Sequence, residues 1–247
     1  MEENPSLLAA LDIPFSRQDR YMSHSPLAQL QKRLFAWGMA KANEADNQDI
    51  KLKACDHHDN LDELKQALLG QLHGRVLEIG PGTGASFAYL QNDIEWIGIE
   101  PNPYMHSYLR EEAQRQGMQS IELIEGAAEN LPLADESVDA VISNYVLCSV
   151  SNLPQALQEI HRILKPEGIF VYLEHVAAES GTWNRQVQDL LAPAWKRLFD
   201  NCHPNRETPR ILHEAGFEPV DAKQFRLSVP VIAPHAAGVV KKGPYQS

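Results

Sequence analysis

The chain lacks any run of about 18 apolar residues, so no helix of it is read as crossing a membrane. Its start, Met1-Glu2-Glu3-Asn4-Pro5, is acidic where a secretory leader is basic and then apolar, so no leader is read there. Base is in short supply: 22 lysines and arginines face 33 aspartates and glutamates, for a net charge of −11. The clearest late basic run is only Lys241-Lys242. That balance argues against nucleic acid and anionic lipid as partners. Cysteine is scarce. Cys55, Cys148 and Cys202 lie far apart, make no CxxC pair and no disulfide framework, and are read as reduced thiols of a cytoplasmic protein. No metal site is read: a structural zinc site lacks its paired cysteines, and His57-His58, between Asp56 and Asp59, has the polarity of an exposed turn. Internal repeats are absent too.

What is there begins with Val76-Leu77-Glu78-Ile79-Gly80-Pro81-Gly82-Thr83-Gly84. It reads as a buried strand ending in acid, then a tight turn with glycine at every second position. Such a turn lets backbone N–H groups approach a ligand where a Cβ would collide. A second apolar strand, Ile97-Gly98-Ile99-Glu100, also ends in a carboxylate. Together they suggest a nucleoside-bearing cofactor, with Glu100 on its ribose hydroxyls. A dinucleotide fingerprint is GxGxxG, whereas this turn is GxGxG.

The 247 residues, 43% hydrophobic, suffice for one α/β domain with an elaboration. Residues 1–72 read as a helical lid or extension. Leu27, Leu30, Leu34, Phe35 and Met39 stripe one helix through about Asn43, and Leu61, Leu64, Leu68 and Leu69 stripe another. Residues 73–247 read as the cofactor domain, with strands at 75–79, 94–100, 120–125, 138–143 and 168–174. Helices are expected at 84–91, 102–116 and 153–164, and Lys165-Pro166-Glu167-Gly168 reads as a helix stop. The alternation predicts a doubly wound, mostly parallel sheet with helices on both faces. A helical insert at about 182–215 carries Trp183, Leu190, Leu191, Trp195, Leu198 and Phe199. Two last strands, about 217–228 and 231–240, read as an antiparallel closing pair.

Gly126-Ala127-Ala128-Glu129-Asn130-Leu131-Pro132 and Asp135 to Asn144, following the glycine turn in this order, resemble the class I S-adenosylmethionine-dependent methyltransferases over roughly residues 74–175. The resemblance implies a Rossmann-like seven-stranded sheet with the cofactor across its C-terminal edge. It places Gly80, Gly82 and Gly84 at the methionine part, Glu78 at the amino group and Glu100 at the ribose, followed by Asn102. Ala128 and Glu129 fall at adenine, and Ser143 and Asn144 beside the methionine end. The chain has Ala127 where many relatives carry an adenine-gripping acid.

The second half is more specific. Val146-Leu147-Cys148-Ser149-Val150, Glu174-His175-Val176-Ala177-Ala178-Glu179, Thr182-Trp183-Asn184, Pro193-Ala194-Trp195, Leu198 to Cys202, Arg206-Glu207 and Pro234-His235-Ala236-Ala237-Gly238 look like the alkyl-thiol S-methyltransferases, the methyltransferase-like seven family. That implies a small thiol acceptor. The animal members begin with an apolar membrane-anchoring segment, and residues 1–72 show no match to it.

Methyl transfer from a sulfonium is an in-line displacement, in which the protein aligns the acceptor and excludes water. His175, at the end of the fifth strand, and His235, in the last hairpin, are the candidate bases or orienting groups. A structural, backbone-bonded histidine is the plain alternative for His175. Cys148 is read as lining the acceptor pocket or as a small buried residue. Trp183 and Trp195 are read as pocket wall or core, and Tyr21 as part of the lid or an exposed ring. Three rival readings stay open: O- or N-methylation on the same fold, cofactor binding without catalysis, and a nicotinamide-dependent oxidoreductase. The oligomeric state stays open as well.

Overall fold

The computed structural model describes residues 26–43, 50–55 and 57–243. Tyr21 lies outside them. Seven strands form one sheet, β1 (Arg75–Ile79), β2 (Glu95–Ile99), β3 (Ser120–Ile124), β4 (Val138–Asn144), β5 (Leu164–His175), β6 (Phe217–Arg226) and β7 (Pro234–Lys242), in the order β3-β2-β1-β4-β5-β7-β6. The first five pair in parallel, while β7 runs antiparallel to both β5 and β6. The expected sheet and its antiparallel closure are therefore present.

The period of two along β1 divides the core. Leu77 and Ile79 face one side, where α4 (Leu153–Ile163) buries Leu153, Ala156, Leu157, Ile160 and Ile163. Val76 faces the other, against α2 (Leu61–Leu69) and α3 (His106–Arg115), which bury Leu61, Leu64, Leu68, Leu109 and Ala113. Residues two apart on a strand share a face, so both faces are apolar and both are covered. The strand order reverses between β1 and β4, and the crevice beyond their carboxyl ends is where open α/β sheets take ligands.

Several expectations change. The helix expected at 84–91 is a single 3-10 turn, Phe87–Tyr89. Gly84 sits at φ +86°, and Phe87 folds back onto it and against Trp96 at 4.7 Å. The helix α4 does stop before Lys165, but β5 begins directly at Leu164 rather than at 168, with a register shift opposite Val138 and Ala140 that makes Lys165 to Gly168 a bulged strand start. The helix α1 (Pro26–Asn43) forms, yet Leu30, Leu34, Phe35 and Met39 are exposed, and among its described side chains Ala36 is the buried one. In α5 (Trp183–Leu198) the apolar residues also face out. Trp183 is 75% exposed, which removes it from both core and pocket wall, and Leu190 and Leu198 are exposed too. The buried residues of α5 are Ala192 and Gln188. The Gln188 amide accepts from Ala178 N and donates to the Val176 and Val231 carbonyls, so a polar anchor docks this helix. The short α6 (Thr208–Glu214) follows. Among the described residues no helix is long and apolar enough to cross a membrane.

Candidate active site

The carboxyl ends of β1, β2 and β4 gather most of the expected cofactor residues. Gly80 and Gly82 have φ of +55° and +57°, the left-handed region that glycine enters without a Cβ penalty. A Cβ on Gly80 would lie 2.7 Å from Val146, so this position is set by packing. A Cβ on Gly82 would meet nothing within 4 Å. Open space in front of a strained turn is a cradle for a ligand. Gly82→Ala is therefore expected to cost only about 1–2 kcal/mol of stability, from the left-handed backbone, while cofactor binding falls at least tenfold; calorimetric titration beside a melting curve reads both.

Two buried carboxylates flank this cradle. Glu78, 1% exposed, accepts from Ser86 Oγ at 2.6 Å and Trp96 Nε1 at 3.1 Å. Glu100, 5% exposed, accepts from the Gly82 amide at 3.0 Å and the Asn102 amide at 2.8 Å. Burial pushes both carboxyls up to about 7, and the charge of Asp200 adds to the push on Glu100. Lys65, the buried cation facing Glu78, is itself lowered by burial and compensates only weakly. Close by, Asn144 Nδ2 donates to Ser86 Oγ, while its Oδ1 is buried with no hydrogen-bond partner. Buried acids short of cations, with an orphaned acceptor beside them, fit a cofactor that carries positive charge. They do not fit a pyrophosphate, which would also need a helix N-terminus after the turn. Here only the 3-10 turn follows, so the nicotinamide reading loses its phosphate site.

The raised carboxyls have a pH consequence. Folding favours their protonated forms, so the stability they contribute is whole below about 4.5 and is lost as pH rises through 7. A cationic ligand reverses the preference. Binding should release protons near pH 6, release almost none near pH 8, and tighten between them. Calorimetry in two buffers of different ionisation enthalpy measures that release; equal release at both pH values would remove the carboxylates from the site.

Ser143 and Glu129 also hold neighbouring structure in place. Ser143 Oγ donates to Glu174 Oε1 at 2.7 Å. Glu129 Oε1 accepts from the amides of Ser151 and Asn152, which holds the start of α4. Its second oxygen, Oε2, takes no part in this cap. Ala128 is buried in the core on the β1–β4 side.

Beyond β4 a second constellation forms. Glu174, 0% exposed, accepts from Ser143 Oγ and from the amides of Val146, Leu147 and Cys148, fixing the loop after β4. Arg206 donates to the carbonyls of Leu147 and Val150 from the other side. Asn201 Nδ2 reaches Ser149 O, and His203 N reaches Cys148 O. These straps bring Cys202 to Cys148 although the two lie far apart in the sequence. Cys148, His175 and Cys202 place their donor atoms within 4.8 Å of one another, all buried. The sequence spacing that argued against a cluster is overridden by these loops.

Within the cluster His175 Nε2 lies 3.1 Å from Cys202 Sγ, and Trp195 Nε1 donates to the same sulfur at 3.3 Å. Trp195 is thus half-buried against Cys202 and packs on Phe199 with the rings tilted, 4.4 Å between centroids. The neighbouring Cys148 thiol, with His175 and Trp195, holds the Cys202 thiol below its ordinary range against its burial. The neighbouring Cys202 and burial push Cys148 up. His235 lies opposite His175 in the β5–β7 ladder and meets its ring edge-on at 6.4 Å, but contributes no donor atom to the cysteine cluster. It stacks on Phe225 and meets Tyr145 edge-on, and its Nδ1 lies 3.0 Å from Ala233 O. A carbonyl only accepts, so Nδ1 carries the proton. Burial lowers this ring to about 4, which leaves it neutral and a weak base. Tyr145 itself sits at φ +60°, a strained position directly after β4.

Sequence reasoning passed over Glu174, Arg206 and Cys202 as site residues. Each stood inside a quoted motif, but their roles arise from contacts between loops that no local spacing encodes.

Comparison with known proteins agrees with this geometry. The family described as "Methyltransferase domain" matches residues 77–172. Human thiol S-methyltransferase TMT1A is 35% identical over 215 residues, covering 85% of this chain and 87% of that protein. Human thiol S-methyltransferase TMT1B is 32% identical over 174 residues, covering 66% and 71%. Among solved structures, YcgJ from Bacillus subtilis superposes with a TM-score of 0.55 at 20% identity, covering 66% of this chain and 71% of that one. The [4+2]-cyclase SpnF gives 0.64 at 18%, covering 87% and 94%. These two likenesses concern the fold alone. The chain belongs to the class I S-adenosylmethionine-dependent methyltransferases and, among them, to the thiol S-methyltransferase family.

Proposed function

We propose that this enzyme transfers the methyl group of S-adenosylmethionine to the sulfur of a small-molecule thiol. The observation that carries the reading is the 35% identity to human thiol S-methyltransferase TMT1A over 85% of the chain, which spans the cofactor edge and the loops of the cysteine cluster alike. The fold does not carry it, since one structural neighbour is named a cyclase.

When bound, the cofactor supplies its methyl as an activated sulfonium substituent. The chain's own residues do the rest. The turn at Gly80, Gly82 and Gly84 receives the methionine part, Glu78 and the orphaned Asn144 Oδ1 receive its ammonium, and Glu100 exchanges the Gly82 amide for ribose hydroxyls. Ala128 lies on the adenine side, where its backbone N–H is the offered contact. Residues 1–72 supply the lid in this reading.

The acceptor chemistry follows from what the site lacks. A hydroxyl needs a strong base, whereas a thiol of pKa about 8.5 is already a few per cent thiolate near neutral pH. Glu174 is committed to four donors, and His235 is held near 4 by burial, so neither serves as a base for a hydroxyl. His175 orients the acceptor side through Cys202. Matched panels of alkyl thiols, phenols and amines, incubated with labelled cofactor, test the assignment. Thiols should be the methylated class. Turnover confined to phenols or amines would replace it with the O- or N-transfer reading, and tight cofactor binding with no turnover would leave a binding protein.

A further inference from the structure

The cluster of Cys148, His175 and Cys202 is more than filled space. Its members come from three separately fixed segments. Cys148 stands on the loop that Glu174 and Arg206 clamp, and His175 is locked in the β5–β7 ladder. Cys202 stands on the turn that Asn201 pins to Ser149, with both Asp200 and Asn201 at positive φ. Held backbone in a sparsely populated conformation marks places where a side chain is kept in position for a task. The polar capacity of the cluster is also unfinished, since His175 Nδ1 is buried with no hydrogen-bond partner.

Two sulfurs and one imidazole are the donor set that thiophilic ions select, and zinc(II) takes two cysteines and a histidine with one position left open in catalytic sites. With metal–sulfur and metal–nitrogen bonds of about 2.3 and 2.0 Å, tetrahedral donors stand roughly 3.5–3.8 Å apart. The His175–Cys202 separation of 3.1 Å and the 4.8 Å limit on the whole set bracket that spacing, so side-chain rotation alone can close the site. His175 ends β5 and Cys148 follows β4, so the cluster lies at the same sheet edge as the glycine turn. Asp200, two residues before Cys202, is close enough for its charge to act on Glu100.

We propose that Cys148, His175 and Cys202 form a zinc(II) site whose fourth position takes the acceptor thiol. The second half rests on the thiol reading above; the first half does not. Loading is balanced without redox change. Each coordinating cysteine that still carries its proton gives it to solvent, the acceptor loses its thiol proton in the same way, and zinc stays divalent.

The test uses the full chain, reduced and stripped with chelator. Equilibrium dialysis against zinc should give one equivalent per chain. The isosteric Cys148→Ser and Cys202→Ser variants should each weaken binding by at least about 100-fold, with circular dichroism and the melting curve checked for an intact fold. Cobalt(II) in place of zinc should give the thiolate-to-cobalt charge-transfer band and the strong visible bands of a tetrahedral site. Ethanethiol added without cofactor should then raise the charge-transfer band, as a third sulfur joins. No retained zinc, or retention unchanged in the double serine variant, overturns the site. A cobalt spectrum indifferent to ethanethiol overturns the fourth-position claim. Thiol methylation by metal-free protein would also overturn that claim while sparing the thiol reading, and a loaded site in an enzyme that methylates no thiol would do the reverse.

Discussion

Glu100→Ala is expected to weaken S-adenosylmethionine binding by on the order of 100-fold or more. A buried carboxylate bonded to two ribose hydroxyls makes two charge-assisted hydrogen bonds, each about 1.5–3 kcal/mol. Without ligand the same carboxylate is a liability, because burial holds it up at about 7 and only the Gly82 and Asn102 amides offset the cost. Glu100→Gln keeps the shape and removes the charge. It should therefore melt higher than the parent above pH 7 in the empty state, yet bind cofactor poorly. Opposite signs for stability and binding are what a functional carboxylate gives; a surface acid would change neither. Calorimetric titration with melting curves at two pH values reads both.

The second large effect is structural. Glu174→Ala strips the acceptor from Ser143 Oγ and from the amides of Val146, Leu147 and Cys148. Each buried donor left without a partner costs about 1–3 kcal/mol. The loss should reach about 3 kcal/mol or more, roughly 6–12 °C in melting temperature for a domain of this size. Turnover should fall further than stability explains, because this loop carries Cys148 and, through Val146, packs on Gly80. A variant that melts like the parent would show that the loop is held by other means, chiefly Arg206.

The fold was legible because its signals are local. Glu78 and Glu100 stood at strand ends in the sequence, and the ladder puts Ile79 opposite Ile99, so both acids emerge at one edge. Failures came where tertiary contacts outrank pattern. The apolar letters of α5 suggested a packed stripe, but the helix docks through Gln188 and leaves Trp183 and Leu190 outside. The turn after Gly84 promised a helix, but Phe87 folding onto Gly84 leaves room for one 3-10 turn. Ser143 and Glu129 stand where the sequence put them, and each also serves a contact it did not signal: Ser143 Oγ with Glu174 and Glu129 Oε1 with the start of α4. The Cys148–Cys202 encounter had no sequence signal, because it depends on Arg206, Asn201 and His203 binding carbonyls of the loop after β4.

The central claim is that sulfur accepts the methyl group, and 2-mercaptoethanol tests it within one molecule, offering a thiol and a hydroxyl to the same site at the same concentration. With deuteriomethyl-labelled S-adenosylmethionine, mass spectrometry should find the label on sulfur alone, in step with S-adenosylhomocysteine formed. Label on oxygen, or S-adenosylhomocysteine released without a methylated product, would contradict the account.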